Sequence, residues 1–285
     1  MIRKGTSDLN SLYLGETQVQ KVCVGNVQVY PVIPLTGTTI RCVYYYKYGT
    51  AETTEYQVLA SPYDFSYSSI TSMVVNGQSI SPVSAVTVPT GYTVIEYTVN
   101  KTRVPERMFD SVHRLVDFQV GDGITGVNSS AFFNTGLNGK LVIDDSITYL
   151  GGYAFSITDY SSVSFGTGLT QINHYLFQEC NNLHGEIVFP ANITSIGEQA
   201  FFGSNSINTL VMEGVTQIGK WAFSSQNINV ITITTPQWAT LDSGGSFIDL
   251  PDDGIINVPS TITGTPWTEY PNEQFANKNW TINYI

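Results

Sequence analysis

Few side chains in this sequence could do nucleophilic, acid–base or metal chemistry. There are three histidines, His113, His174 and His184, and the last two flank Cys180. A thiol beside an imidazole can be a nucleophile, but it needs a third group to orient the base and donors for the oxyanion. Nothing around Cys180 supplies either, and a small buried core residue is the expectation for it. The acidic pairs Asp144-Asp145 and Asp252-Asp253 could offer oxygens to calcium. Calcium loops need more ligands at set spacing, so these pairs read as solvated turn residues. No phosphate-cradling glycine loop, His-Glu-x-x-His or Gly-x-Ser-x-Gly occurs. The expectation is a protein that is not an enzyme and holds no metal or cofactor.

Recognition chemistry has more to work with. Tyr44-Tyr45-Tyr46 with Tyr48 is the densest aromatic cluster, and tyrosine offers contact area and a polar tip at low entropy cost. In a strand, Tyr44, Tyr46 and Tyr48 share one face. That face could meet a glycan or a protein, or it could pack inside a small sandwich.

The elements that must position such residues are set by a repeat. Phe109, Phe132, Phe155, Phe177, Phe201 and Phe223 follow one another at steps of 23, 23, 22, 24 and 22 residues. One residue before each stands Met108, Ala131, Ala154, Leu176, Ala200 or Ala222. Five before stands Val104, Val127, Leu150, Ile172, Ile196 or Ile218. From the second copy on, Ile124, Ile147, Leu169, Ile193 and Val215 stand eight before. A fixed period in the twenties with apolar columns predicts a solenoid, because one unit cannot bury its apolar face alone. After each phenylalanine comes a short alternating run: Leu115–Val120, Leu141–Ile143, Val163–Phe165, Ile187–Phe189, Leu210–Met212 and Ile231–Ile233. Each predicts one strand of a parallel sheet. The outward positions of that sheet, Lys140, Ser162, Glu186 and Thr209 among them, are small, mixed and free of aromatics. The loops after the phenylalanines vary while the columns stay fixed. Phe202, Asn205, Gln226 and Asn227 are therefore further candidate binding residues.

The string Ile-Gly-x-x-Ala-Phe, followed by a small residue, Leu and a short strand, resembles the BspA-like leucine-rich repeat over roughly residues 97–285. The resemblance implies a leucine-rich-repeat solenoid of about six repeats of 22–24 residues. It also implies a binding or display scaffold, often on bacterial cell surfaces, and no enzymatic activity. Val104-Pro-Glu-Arg-Met108-Phe109 then looks like a degenerate entry copy. Ile255–Pro259, Trp267 and Trp280 look like a closing strand and cap from about residue 235.

Composition narrows the surroundings. Charged residues are 12% of the 285-residue chain, about half the usual share, and the net charge is −11 with only 12 Lys and Arg. No basic patch exists, so nucleic acid is not an expected partner. Three scattered cysteines make no disulfide framework. No stretch approaches the length of a membrane span, and no apolar run follows Arg3 and Lys4 as in a secretory signal.

The chain divides into three expected parts. Residues 1–33 carry a small strand repeat, Leu12–Gly15 and Val22–Gly25, too short to form a core alone. Their likeness to N-terminal segments of phage tail and fibre proteins of gut anaerobes suggests attachment or oligomerisation. Residues 34–100 read as a small β-sandwich-like domain, and residues 101–285 as the solenoid with its cap. The fold class expected is mostly β with short helical turns. The functional expectation is a virion structural protein, a tail or head fibre, displaying a recognition domain at the virion surface. Its partners would be other virion proteins, or itself as a homotrimer through residues 1–33, and a host-surface protein or glycan. The alternative is a bacterial cell-surface adhesin.

Overall fold

The computed structural model describes residues 3–4, 22–24, 27–30, 35–46, 54–56, 70–75, 78–80, 86–88, 91–224, 227–242, 245–247, 249–264, 266–267 and 278–285. The described chain from residue 101 on is a solenoid built of strands and turns, with no α-helix. The expected inward positions are inward. Phe118, Val120, Leu141, Ile143, Ile187, Phe189, Leu210, Met212, Ile231 and Ile233 are buried, while Lys140, Glu186 and Val188 are exposed.

The six phenylalanines form one interior column, each fully or almost fully buried. Neighbouring rings lie 5.2, 5.5, 5.9, 5.4 and 5.4 Å apart and within 18° of parallel. Phe247 extends the column as a seventh member. Tyr97 meets Phe109 edge-on at one end, and Trp267 covers Phe247 at the other. Trp267 is buried and its indole N–H donates to the Ala239 carbonyl, and Trp280 donates to Pro251. Trp267 thus covers the end of the phenylalanine column, and the Trp280 ring lies against Gly254.

The Ala-Phe segment turns without becoming a helix, and the backbone shows why. The residue two before each phenylalanine has a positive φ: Arg107, Ser130, Tyr153, Tyr175, Gln199 and Trp221. So do Ser111, Asn134, Ile157, Glu179 and Gly203, two after it. Left-handed conformation at these alternate positions turns successive N–H groups the same way along the stack. Tyr175 N–H donates to Glu198, Phe177 to Ala200 and Glu179 to Phe202, each in the next coil. Every copy repeats this ladder. A non-glycine residue in this conformation costs about 1–2 kcal/mol, a cost offset by satisfying a backbone donor that would otherwise be buried.

Two sheets line the solenoid. The wide one contains parallel strands His184–Phe189, Ser206–Met212, Val230–Ile233, Asp253–Val258 and Asn279–Tyr284. Asn138–Val142 and Asp159–Ser164 make a separate parallel pair, to which Arg3–Lys4 adds antiparallel, opposite Val142 and Leu141. The narrow sheet is built of two-residue strands centred on the isoleucine column. Its strands form two groups, Arg103–Val104 with Gly126–Val127 and Tyr149–Leu150, and Gln171–Ile172 with Ser195–Ile196, Gln217–Ile218 and Thr240–Leu241.

The first solenoid strand, Leu115–Val120, does not pair with its successor. It pairs antiparallel with Thr39–Tyr46, which continues to Gly91–Val99, Ile70–Val75 and Gln78–Ile80. Within residues 34–100, expected as a small sandwich-like domain, part of the chain is described, as strands. They form this one sheet and a separate ribbon, Thr54–Tyr56 with Val86–Val88. The sheet crosses residue 100 and its buried residues join the solenoid's core. In the N-terminal segment, Val22–Val24 and Val27–Tyr30 form an antiparallel hairpin. The expected strand at Leu12–Gly15 lies outside the described residues.

Candidate recognition groove

Of the tyrosine cluster, the side chain of Tyr44 is described. Tyr44 is fully buried, and its hydroxyl lies 2.8 Å from that of buried Tyr97. Ile40 and Cys42 on the same side of the strand are buried as well. Tyr44 is thus a core residue, and the packing alternative holds for it. Tyr46 belongs to the strand Thr39–Tyr46, and its side chain, like Tyr48 and Gln226, lies outside the described residues. Of the loop candidates, Phe202 is half-buried and Asn205 and Asn227 are exposed. The Asn227 side-chain amide donates to the Asn205 carbonyl at 2.7 Å, so these two are brought together as rungs of one ladder.

The candidate nucleophile is equally withdrawn. Cys180 is fully buried and its thiol donates to the Phe155 carbonyl at 3.1 Å, whereas His174 and His184 are exposed. Burial pushes the thiol up to about 11, which removes the thiolate that chemistry would need. Thr135, Thr158 and Ser204 occupy the same place in other coils; the threonines donate to the phenylalanine carbonyl of their own coil, and Ser204, like Cys180, to that of the preceding coil. Cys180 is thus one member of a column that satisfies buried backbone acceptors. Among the described residues no group of His, Cys, Asp and Glu could hold a metal ion, and no helix is long and apolar enough to cross a membrane.

Over the four-stranded part of the narrow sheet lies a groove of about 440 Å³. Its rungs are successive coils. Gln171, Asn173 and His174 form the first, Ser195, Gly197 and Glu198 the second, Gln217 and Gly219 the third, and Thr240 and Asp242 the fourth. The isoleucine side chains of these strands point into the core, which leaves the alternate polar residues outward. The glycines form the floor for a packing reason. A Cβ on Gly219 would come within 2.6 Å of the Glu198 nitrogen, and one on Gly197 within 2.7 Å of the His174 nitrogen. Coils approach here more closely than any side chain permits.

The lining is held in place. The Gln171 amide donates to Asn173 at 2.9 Å, and Asn173 donates to the Leu150 carbonyl. The Glu198 N–H donates to His174 Nδ1 at 3.3 Å, which leaves Nε2 to carry the ring proton. Tyr153 and Tyr175 stack at 4.4 Å, 3° from parallel, and Tyr153 is 37% exposed. Burial, then the Glu198 carboxylate and Tyr153, push the Tyr175 phenol up. The Lys220 ammonium sits over the Trp221 ring, 4.1 Å from its centroid. The groove escapes a reading of the sequence because its residues look like ordinary polar turns.

Two comparisons describe the fold's relatives. A leucine-rich repeat protein from Bacteroides ovatus ATCC 8483 is 14% identical, with a TM-score of 0.46, covering 64% of this chain and 47% of that one. A leucine rich cell surface protein from Faecalibacterium prausnitzii A2-165 is 19% identical, with a TM-score of 0.36, covering 64% of this chain and 57% of that one. This chain therefore spans about half the length of each. No curated protein matches the chain. The BspA type leucine rich repeat region matches in six copies over residues 89–208 and 171–263. Those residues cover more than half of the chain, and the chain belongs to the BspA-type leucine-rich repeat family.

Proposed function

We propose that this protein is a non-enzymatic recognition protein displayed on a surface, with the bacterial cell surface as the setting. The observation that carries the reading is the groove of the narrow sheet. It lines up exposed amide, hydroxyl and carboxylate groups on a backbone locked coil to coil. Binding residues carried by a rigid scaffold are the arrangement that recognition needs. The buried thiol and the separation of its chemistry from both histidines support a binding role over a catalytic one. The test is adhesion. Fluorescently labelled protein should bind cells or extracellular matrix saturably, and absence of saturable binding to any such surface would remove the reading.

A second reading places the protein on a virion, as a tail or head fibre component attached or trimerised through residues 1–33. The pairing of Arg3–Lys4 with Leu141–Val142 favours it, because strand addition of this kind could equally join separate chains. Deleting residues 1–33 should then abolish oligomerisation or particle attachment and leave the solenoid folded. An intact chain that is monomeric and associates with no particle leaves the cell-surface reading alone.

A further inference from the structure

We propose that the groove over the narrow sheet binds a neutral polysaccharide lying along the solenoid axis, across successive coils. The inference rests on the recognition reading above and names its ligand. The lining offers what a hydroxyl-rich chain requires. Gln171, Asn173 and Gln217 present amides that both donate and accept, and Glu198 and Asp242 present paired acceptor oxygens. Charge-assisted bonds from hydroxyls to carboxylates are the stronger kind. The His174 Nε2–H adds a donor.

The arrangement in space selects a linear ligand. The groove crosses four coils at the strand spacing of about 4.8 Å, and one row along it is Gln171, Ser195, Gln217 and Thr240, each a hydrogen-bonding side chain. An extended hydroxyl-rich chain can therefore bond to successive coils, as a compact molecule cannot. Polar side chains and glycine backbone make most of the lining, with buried Ile172, Ile196 and Ile218 and half-buried Leu241 between them, which suits a polar ligand. The groups are pre-positioned by the backbone ladder, so little ordering cost falls on binding.

Charge decides which polymer. The groove holds two carboxylates, and the protein carries a net charge of −11. An anionic chain would be repelled. The nearby cation, Lys220, faces the Trp221 ring. A cationic peptide would be attracted by the same carboxylates, but it would leave the three amides and two hydroxyls of the lining without a matched role.

Affinity electrophoresis of the full chain in native gels tests this. The gels would contain a β-glucan, a mannan, a galactan or an arabinoxylan, with polygalacturonate and poly-lysine as charged comparisons. At least one neutral polymer should retard the protein, with little dependence on salt. The double variant Gln171→Ala/Gln217→Ala should weaken that retardation about tenfold, two lost hydrogen bonds of ordinary worth. Lys140→Ala, on the strand Asn138–Val142 away from the groove lining, should leave it unchanged, and Gln217→Ala alone serves should the double variant not fold. No retardation by any neutral polymer, retardation indifferent to the groove variants, or salt-sensitive binding of poly-lysine alone would overturn the proposal. Adhesion to cells that persists without polysaccharide binding would overturn the ligand class and leave the recognition reading standing. Loss of both would remove both.

Discussion

The ring of Phe247 lies 5.3 Å from that of Phe223 and 16° from parallel with it. The column of the repeat thus runs one coil further than the sequence spacing shows. Each ring fills the space beneath its neighbour, so removal of one opens a cavity that touches two coils. Phe201→Ala, in the middle of the column, should cost about 3–5 kcal/mol. Phe247→Ala should fall in the same range, because Trp267 closes over it as a further coil would. Urea denaturation of both variants measures this, and a Phe201→Ala midpoint equal to wild type would contradict the burial.

Tyr44 belongs to the core, and its substitution should behave accordingly. Tyr44→Phe removes one buried hydroxyl pair with Tyr97 and should cost about 1–2 kcal/mol. Tyr44→Ala should cost several times that through lost packing. Neither should change adhesion measured on the folded fraction. A Tyr44→Ala variant as stable as wild type, with adhesion lost, would return the tyrosine to the surface.

The sequence makes much of this fold readable, and the limits have physical causes. The phenylalanine, alanine and isoleucine columns place the core and the wide sheet because apolar burial is periodic. Phe247 breaks the pattern: Leu241, the partner of Ile218, stands six residues before it instead of five, and Ser246 replaces alanine. The left-handed residues are invisible to a reading by type, since Tyr153, Gln199 and Trp221 are not residues that favour positive φ. Only the ladder between coils imposes it. For Tyr44 the signal was present. Ile40 and Cys42 share its face, and an apolar alternation ending in tyrosine marks a buried side.

Cys180 gives the alkaline behaviour a testable sign. Its thiol is held neutral in the fold, at about 11 against an ordinary 9.0. The folded state therefore keeps its proton where the unfolded chain loses it. This contribution is fully present below pH 9 and is lost as pH rises from about 9 to about 11. By the linkage between proton binding and folding it amounts to about 2–3 kcal/mol. Cys180→Ser should show a flatter fall in stability over that window than wild type. Equal slopes would mean that the thiol titrates as an exposed one. In a Cys23→Ser background, both remaining thiols, Cys42 and Cys180, should resist thiol reagents until the protein unfolds.

The cap makes a prediction about where the solenoid opens. In a stacked repeat each coil is stabilised by its two neighbours, and an end coil has only one. Trp267 supplies the missing neighbour: it is buried against Phe247 and Trp238, and its indole N–H holds the Ala239 carbonyl. Trp267→Ala should therefore act locally. Amide exchange in the last coils, Thr240–Leu241 and Asp253–Val258, should accelerate by orders of magnitude, as an end that frays opens far below the global free energy. The central strands Ile196, Leu210 and Met212 should keep most of their protection. Uniform acceleration across all coils would show that the solenoid opens as one cooperative block. No acceleration at the C-terminal end would show that Trp267 is not what closes it.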